Sequence, residues 1–301
     1  MNYSENSDGR IKRRKVSHGD LEKIPLQSNT VANPYVNNNK INRKEIDEDF
    51  EIEKELFYKN RYKKRKKRNK LIKKSLSLLL TIMLIGTVLA SAFAMIALKG
   101  TPTVTKDLIY NNYISENIVP IDEIPDNLKN AIIATEDRRF YEHGGIDIRS
   151  LMRSVVNNVL SDSTQGGSTI DMQVSKNLLT STDKTMKRKV VDMYNAIQMN
   201  KIMTKDEILS AYLNNIYFGK GSYGVENAAQ TYFGKHVRDL NLAQCAMIAG
   251  ITNNPEKYKQ HDEAKRRQKV VLENMYEQGY ITKDEYREAV NDPTPFKSEI
   301  A

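Results

Sequence analysis

The chain has 301 residues, room for one or two domains, with a formal net charge of +9, a single cysteine and no tryptophan. Eleven Lys and Arg residues between Lys59 and Lys74 exceed that net charge, so the rest is near neutral and the basic balance does not argue for a nucleic-acid-binding domain. The lone Cys245 excludes an intrachain disulfide and a multi-cysteine metal site.

Residues 1–58 are rich in Asn, Ser, Lys and Glu and poor in large apolar side chains. Burial by such a composition cannot offset chain entropy, so disorder is expected. With the basic run that follows, residues 1–74 read as a disordered basic tail. From Ser75 to Leu98 there are 24 residues without a charge. A helix of that length, at about 1.5 Å per residue, crosses a bilayer. It exceeds the roughly 7–15 apolar residues of a secretory signal. The basic flank, against only Lys99 and Lys106 before Asp107, predicts a single pass with the N-terminus cytoplasmic and the remainder extracytoplasmic. A basic run beside a span serves topology and contact with anionic lipid, so a membrane partner and no nucleic acid are expected.

Residues 99–118 read as a connector, and Pro120 and Pro125 discourage helix before the outer domain, residues 119–295, where the pattern is helical throughout. Leu128, Ala131, Ile132 and Ala134 mark the first apolar face and place Glu136 and Asp137 near that helix's C-terminal end. The negative end of a helix dipole favours a basic carboxylate, which suits a general base. Phe140 and His143 follow before the pair Gly144-Gly145. Ile148, Leu151, Met152, Val155, Val156, Val159 and Leu160 then recur at helical spacing. Such a stripe suits either a core or a bilayer face, and core is the expectation. Gly166-Gly-Ser-Thr169 reads as a helix N-cap with free amides that would suit a phosphate. Arg188 and Lys189 stand four and three positions before Asp192, as in a surface salt-bridge ladder. Thr204 with Glu207, and Thr282 with Glu285, form capping boxes. Cys245 lies in the apolar run Leu242 to Ala249 and reads as a small core side chain.

Taken together, Pro120-Ile-Asp-Glu-Ile-Pro, Ala134-Thr-Glu-Asp-Arg-Arg-Phe-Tyr-Glu-His143, Gly166-Gly-Ser-Thr-Ile, Arg188-Lys189 and the run from Ile208 through Asn214 and Gly219 to Tyr223-Gly resemble the peptidoglycan glycosyltransferase domain. That module occurs in monofunctional wall transglycosylases and in class A penicillin-binding proteins. The resemblance implies a mostly α, lysozyme-like domain that polymerises lipid II into glycan strands outside the membrane, with inversion at the donor carbon and release of undecaprenyl diphosphate. By resemblance Glu136 is the catalytic base and Asp192 stands for a second catalytic acid. Asp137, Phe140, His143, Ser168, Thr169, Gln173, Lys176, Asn177, Asn214 and Tyr223 match substrate-site positions, and Arg188 and Lys189 match the pair facing the leaving diphosphate. The resemblance further implies a divalent cation, Mg or Mn, at that diphosphate, and cell-wall synthesis proteins as partners.

Three positions depart from the family pattern. Asp192 replaces a glutamate, Asp171-Met172 replaces Thr-Gln, and Asn200 stands where an acid is usual. Asp171, Met172 and Asp192 motivate an alternative, a weakly active or inactive homologue that serves as a scaffold in a wall-synthesis complex. A glycan-cleaving enzyme, which also uses carboxylates at a sugar bond, has no use for the cationic cluster. Ser181-Thr-Asp-Lys184 matches the Ser-x-x-Lys pattern of acyl-transfer enzymes, but it falls inside the domain and no acyl chemistry is expected.

Overall fold

The computed structural model describes residues 43–160, 166–181 and 183–300. The chain forms two units, residues 1–79 and 80–301. The described part of the first is helical throughout and begins α1 (Arg43–Leu98). Residues 43–74, expected to be disordered, are thus helical. Lys, Arg, Glu and Leu are good helix formers, and local pairs such as Lys54 Nζ to Glu51 Oε1 at 2.9 Å add to that preference. Residues 1–42 of the expected tail lie outside the described residues. Among the described residues, α1 is the one helix long and apolar enough to cross a membrane. Its large apolar side chains from Leu76 to Ile96 are exposed, as a lipid-facing helix requires.

The second unit is a helical domain. Its spine is α9 (Leu242–Ile251), apolar on every side and buried from Ala243 onward. A helix with no polar face has no stable place at a surface. Along α9 pack α3 (Asp126–Glu136), which starts at Pro125, and α11 (His261–Glu277). A second group joins α5 (Ile170–Leu178) to α6 (Met186–Ile202) and α7 (Lys205–Asn215). Shorter helices fill the remainder: α2 (Lys106–Asn111), α8 (Val225–Phe233), α10 (Pro255–Tyr258), α12 (Lys283–Asn291) and α13 (Lys297–Ile300). No strand forms among the described residues, and the extended pairing is a single bridge between Tyr217 and Tyr223. A mostly α domain preceded by a long apolar helix is what the sequence leads one to expect.

Both predicted capping boxes form, at Thr204 with Glu207 and at Thr282 with Glu285. A third, Asn241 with Gln244, opens the spine helix. Within the glycine-rich loop, Gly224 has φ of +81°, and a Cβ there would lie 2.5 Å from the Asn214 carbonyl oxygen. The return of the chain onto α7 therefore depends on a residue without a side chain.

One expectation about the core is reversed. In α4 (Ile148–Leu160) most of the described stripe is not buried: Ile148 is 69% and Met152 63% exposed, with Val155 and Val156 also exposed and Leu151 half-buried, while the side chains of Val159 and Leu160 lie outside the described residues. Periodicity marks one face of a helix but does not say what covers it.

Candidate active site

Glu136 is the last residue of α3. Its carboxylate is held from two sides: Gln173 Nε2 of α5 donates to Oε2 at 2.9 Å, and the Thr252 hydroxyl, just past the spine helix, lies 3.2 Å from Oε1. Hydrogen bonds to a carboxylate stabilise its ionised form and fix its direction. Two adjoining lobes of a cleft, about 450 and 400 Å³, share Thr135, Glu136, Gly166 and Ser168 in their walls. The acid thus stands where they meet.

The first lobe is lined by Asp137, Arg138, Arg139, Asp147, Arg153, Thr169 and Asn274, among others. Arg139 binds both oxygens of Asp147 at 2.6 Å. Burial alone would raise the Asp147 carboxyl, but Arg139 and Ser150 hold it well below the usual carboxylate range. The second lobe gathers Lys176, Arg188, Lys189 and Arg267 around Glu136 and Asp192. Burial, and then the charge of Arg188, lower the Lys176 ammonium below its ordinary value, while Asp192 and Glu136 oppose that shift. Three buried polar atoms in this lobe's lining have no hydrogen-bond partner: Thr135 Oγ1, Arg188 Nε and Arg267 Nε.

Asp192 lines the second lobe but is only 3% exposed and fully engaged. Its Oδ1 accepts from Ser175 at 2.9 Å and Thr180 at 2.8 Å, and its Oδ2 lies 3.3 Å from Arg188. This geometry ties α5 to α6 and holds Arg188.

The Gly-Gly-Ser-Thr turn is a helix N-cap as expected, with Thr169 accepting from the Met172 amide at 3.2 Å. The first amides of the helix itself are not free for an anion, however. The Ile170 N–H is taken by Asp137 Oδ2 at 3.0 Å. Asp137 also meets His143 Nε2 at 3.0 Å, while the Gly145 amide donates to His143 Nδ1 at 3.2 Å. With Nδ1 accepting, the neutral imidazole carries its proton on Nε2 and donates it to Asp137. Gly145 has φ of +103°, and a Cβ there would lie 2.5 Å from the Ala196 carbonyl oxygen, so this turn packs backbone to backbone on α6.

The structure brings Glu136, Asp137, Ser168, Thr169, Gln173, Lys176, Arg188, Lys189 and Asp192 to the cleft walls. Five other expected substrate residues line neither lobe: Phe140, His143, Asn177, Asn214 and Tyr223. Phe140 is fully buried in the core. Asn214 is also fully buried and clamps the Val119 backbone, accepting its N–H at 2.9 Å and donating to its carbonyl at 3.0 Å. It is a structural tie between the first residue of the outer domain and α7. Tyr223 stacks at 4.9 Å between centroids on Tyr217. Thr252, Asn253 and Arg267 were not evident from sequence. Arg267 stands among Lys265, Arg266 and Lys269 on α11, where spacing does not say which side chain turns inward, and the approach of Thr252 to Glu136 depends on how the spine helix packs.

Asp137, His143 and Asp171 offer ligand atoms within 4.8 Å of one another. They do not fit a divalent cation. Asp137 and His143 are spent on each other and on backbone amides, and Lys205 Nζ lies 3.0 Å from Asp171 Oδ1, placing a fixed cation where the ion would need a ligand. In the second lobe both oxygens of Asp192 are engaged, leaving no carboxylate set for a metal there either.

Residues 100–276 match the family model described as Transglycosylase. A provisionally named transglycosylase of Cupriavidus necator is 40% identical over 221 residues, covering 71% of this chain and 94% of that protein. Penicillin-binding protein 1A of Aquifex aeolicus is 45% identical over 185 residues, 60% of this chain and 26% of the relative. The chain therefore spans about a quarter of that relative's length. A 2.6 Å crystal structure of penicillin-binding protein 1A from Haemophilus influenzae has 27% identity, covers 62% of this chain and 18% of its own, and superposes with a TM-score of 0.37.

Proposed function

Because the chain belongs to the transglycosylase family, we propose that it is a membrane-anchored peptidoglycan glycosyltransferase that polymerises lipid II into glycan strands. The observation that carries this reading is the position of Glu136, oriented by Gln173 and Thr252 at the junction of two lobes, one lined by Lys176, Arg188, Lys189 and Arg267. A sugar hydroxyl of the acceptor attacks the anomeric carbon of the donor, and Glu136 takes its proton. A glycosidic C–O bond forms as the bond to the diphosphate oxygen breaks, with inversion at that carbon. Negative charge grows on the departing undecaprenyl diphosphate, and the fixed cations of the second lobe stabilise it. Asp192 serves by holding Arg188 rather than by moving a proton. No divalent cation is invoked for any step.

The basic segment before the span supports a cytoplasmic N-terminus. The exposed apolar face of α4 suits contact with lipid, where a lipid-borne substrate is met. The scaffold reading rests on Asp171, Met172 and Asp192 being defects. Asp171 and Asp192 both have hydrogen-bond partners, so neither is a misplaced charge.

Lipid II polymerisation by the full chain tests the proposal. Wild type is expected to make glycan strands and Glu136→Gln to lose about 10²–10⁴-fold in rate. Equal output from the two proteins refutes it.

A further inference from the structure

Asp171 takes no part in the reaction just derived, yet it is a fully enclosed acid in the first turn of α5. Its carboxylate gathers two other segments of the domain. Lys205 Nζ, at the start of α7, lies 3.0 Å from Oδ1 and 3.3 Å from Oδ2. Asn200 Nδ2, in the last turn of α6, lies 2.5 Å from Oδ1. His143 Nδ1, in the turn that follows Glu136, lies 4.0 Å from Oδ2, but it accepts from the Gly145 amide and offers this carboxylate no proton. Lys205 also sits 4.4 Å from the centre of the Phe140 ring in that same turn. A charge taken out of water is tolerated only while its partners stay in place, so each contact restricts how α5 can shift against its neighbours. Further along α5 come Gln173, which orients Glu136, and Lys176, which faces the second lobe.

We propose that Asp171 is a positioning residue: by joining Asn200 and Lys205, whose ammonium rests on Phe140 of the turn after Glu136, it fixes the start of α5, and through α5 the placement of Gln173 and Lys176 about Glu136. The proposal rests on the reading of Glu136 as the base. Its distinctive content is that a negative charge must face Lys205. The side chains of Asn200 and Lys205 meet the same oxygen of Asp171, so an acid at position 200 lies within reach of Lys205 and can replace the charge lost from position 171. A role as mere filler of space would not allow that transfer.

The test compares full-length wild type, Asp171→Asn, Asp171→Thr and the double variant Asp171→Thr/Asn200→Asp, by lipid II polymerisation and by hydrogen exchange of the α5 amides. The single variants are expected to lower kcat by about 10²-fold, with KM changed less than about threefold, and to speed exchange along α5. Adding Asn200→Asp restores slow exchange and recovers at least about tenfold in kcat. Wild-type kcat in Asp171→Thr, or a double variant no better than the single, overturns the proposal. Should Asp171→Thr not fold, a folded double variant with slow α5 exchange supports the proposal, and an unfolded one overturns it. If wild type polymerises nothing, the reading of the site fails, and the exchange rates alone decide the role of Asp171.

Discussion

Gln173→Met isolates one of the two bonds that aim Glu136. Methionine keeps the length and apolar stem of glutamine but removes the donor that lies 2.9 Å from Glu136 Oε2. A hydrogen bond to a charged group contributes about 1.5–3 kcal/mol. At 1.36 kcal/mol per tenfold in rate, full loss of its effect corresponds to roughly 10- to 150-fold in kcat/KM. The lower end of that range is expected, because the Thr252 hydroxyl still lies 3.2 Å from the other oxygen. Removing the base itself, as in Glu136→Gln, falls in a larger range, about 10²–10⁴-fold. Initial rates of glycan formation, measured across lipid II concentrations, separate the cases. A Gln173→Met protein as impaired as Glu136→Gln would refute the reasoning, since an orienting bond cannot outweigh the group it orients. So would a loss confined to KM, which would make Gln173 a substrate contact.

The lowered Lys176 ammonium predicts that lipid II binding weakens at alkaline pH below the ordinary lysine value of 10.5, as the charge facing the diphosphate is lost. An arginine stays charged across that range, so Lys176→Arg should move the alkaline rise in KM to higher pH; an unmoved profile rules out Lys176 as its source. Gly145→Ala should destabilise the domain, because its φ of +103° is strained for an L side chain and the new Cβ would lie 2.5 Å from the Ala196 carbonyl oxygen. Backbone strain alone contributes about 1–3 kcal/mol, read as a lowered Tm, and an unchanged Tm contradicts the close packing described at that turn.

What could be read from sequence was what is written locally. The end of α3 at Glu136 follows from four apolar residues on one face, and the capping boxes at Thr204 and Thr282 follow from a Thr-x-x-Glu spacing that needs no tertiary context. The α4 stripe failed for a reason of the same kind: spacing defines a face and leaves its covering undetermined. Asn214 and Phe140 belong to recognisable motifs, yet one ties down a backbone and the other fills the core, because a motif records what the fold needs along with what the substrate needs. Thr252 reaches Glu136 from 116 residues away. Such a contact exists only once α9 has packed on α3, and no pattern in the chain announces it. Asp171 looked like a departure at the residue level, and its meaning emerged from Lys205 and Asn200 beside it in space.

The spine helix also settles the fate of the protein's single thiol. Cys245 lies within α9 with no exposure, and burial pushes its thiol up to about 12. Oxidants and thiol-reactive reagents attack the thiolate, and they must reach it. Neither condition is met in the folded domain, so the sulfur resists sulfenylation and mixed-disulfide formation in oxidising surroundings. Labelling at Cys245 by an alkylating reagent would instead report the opening of the helical core.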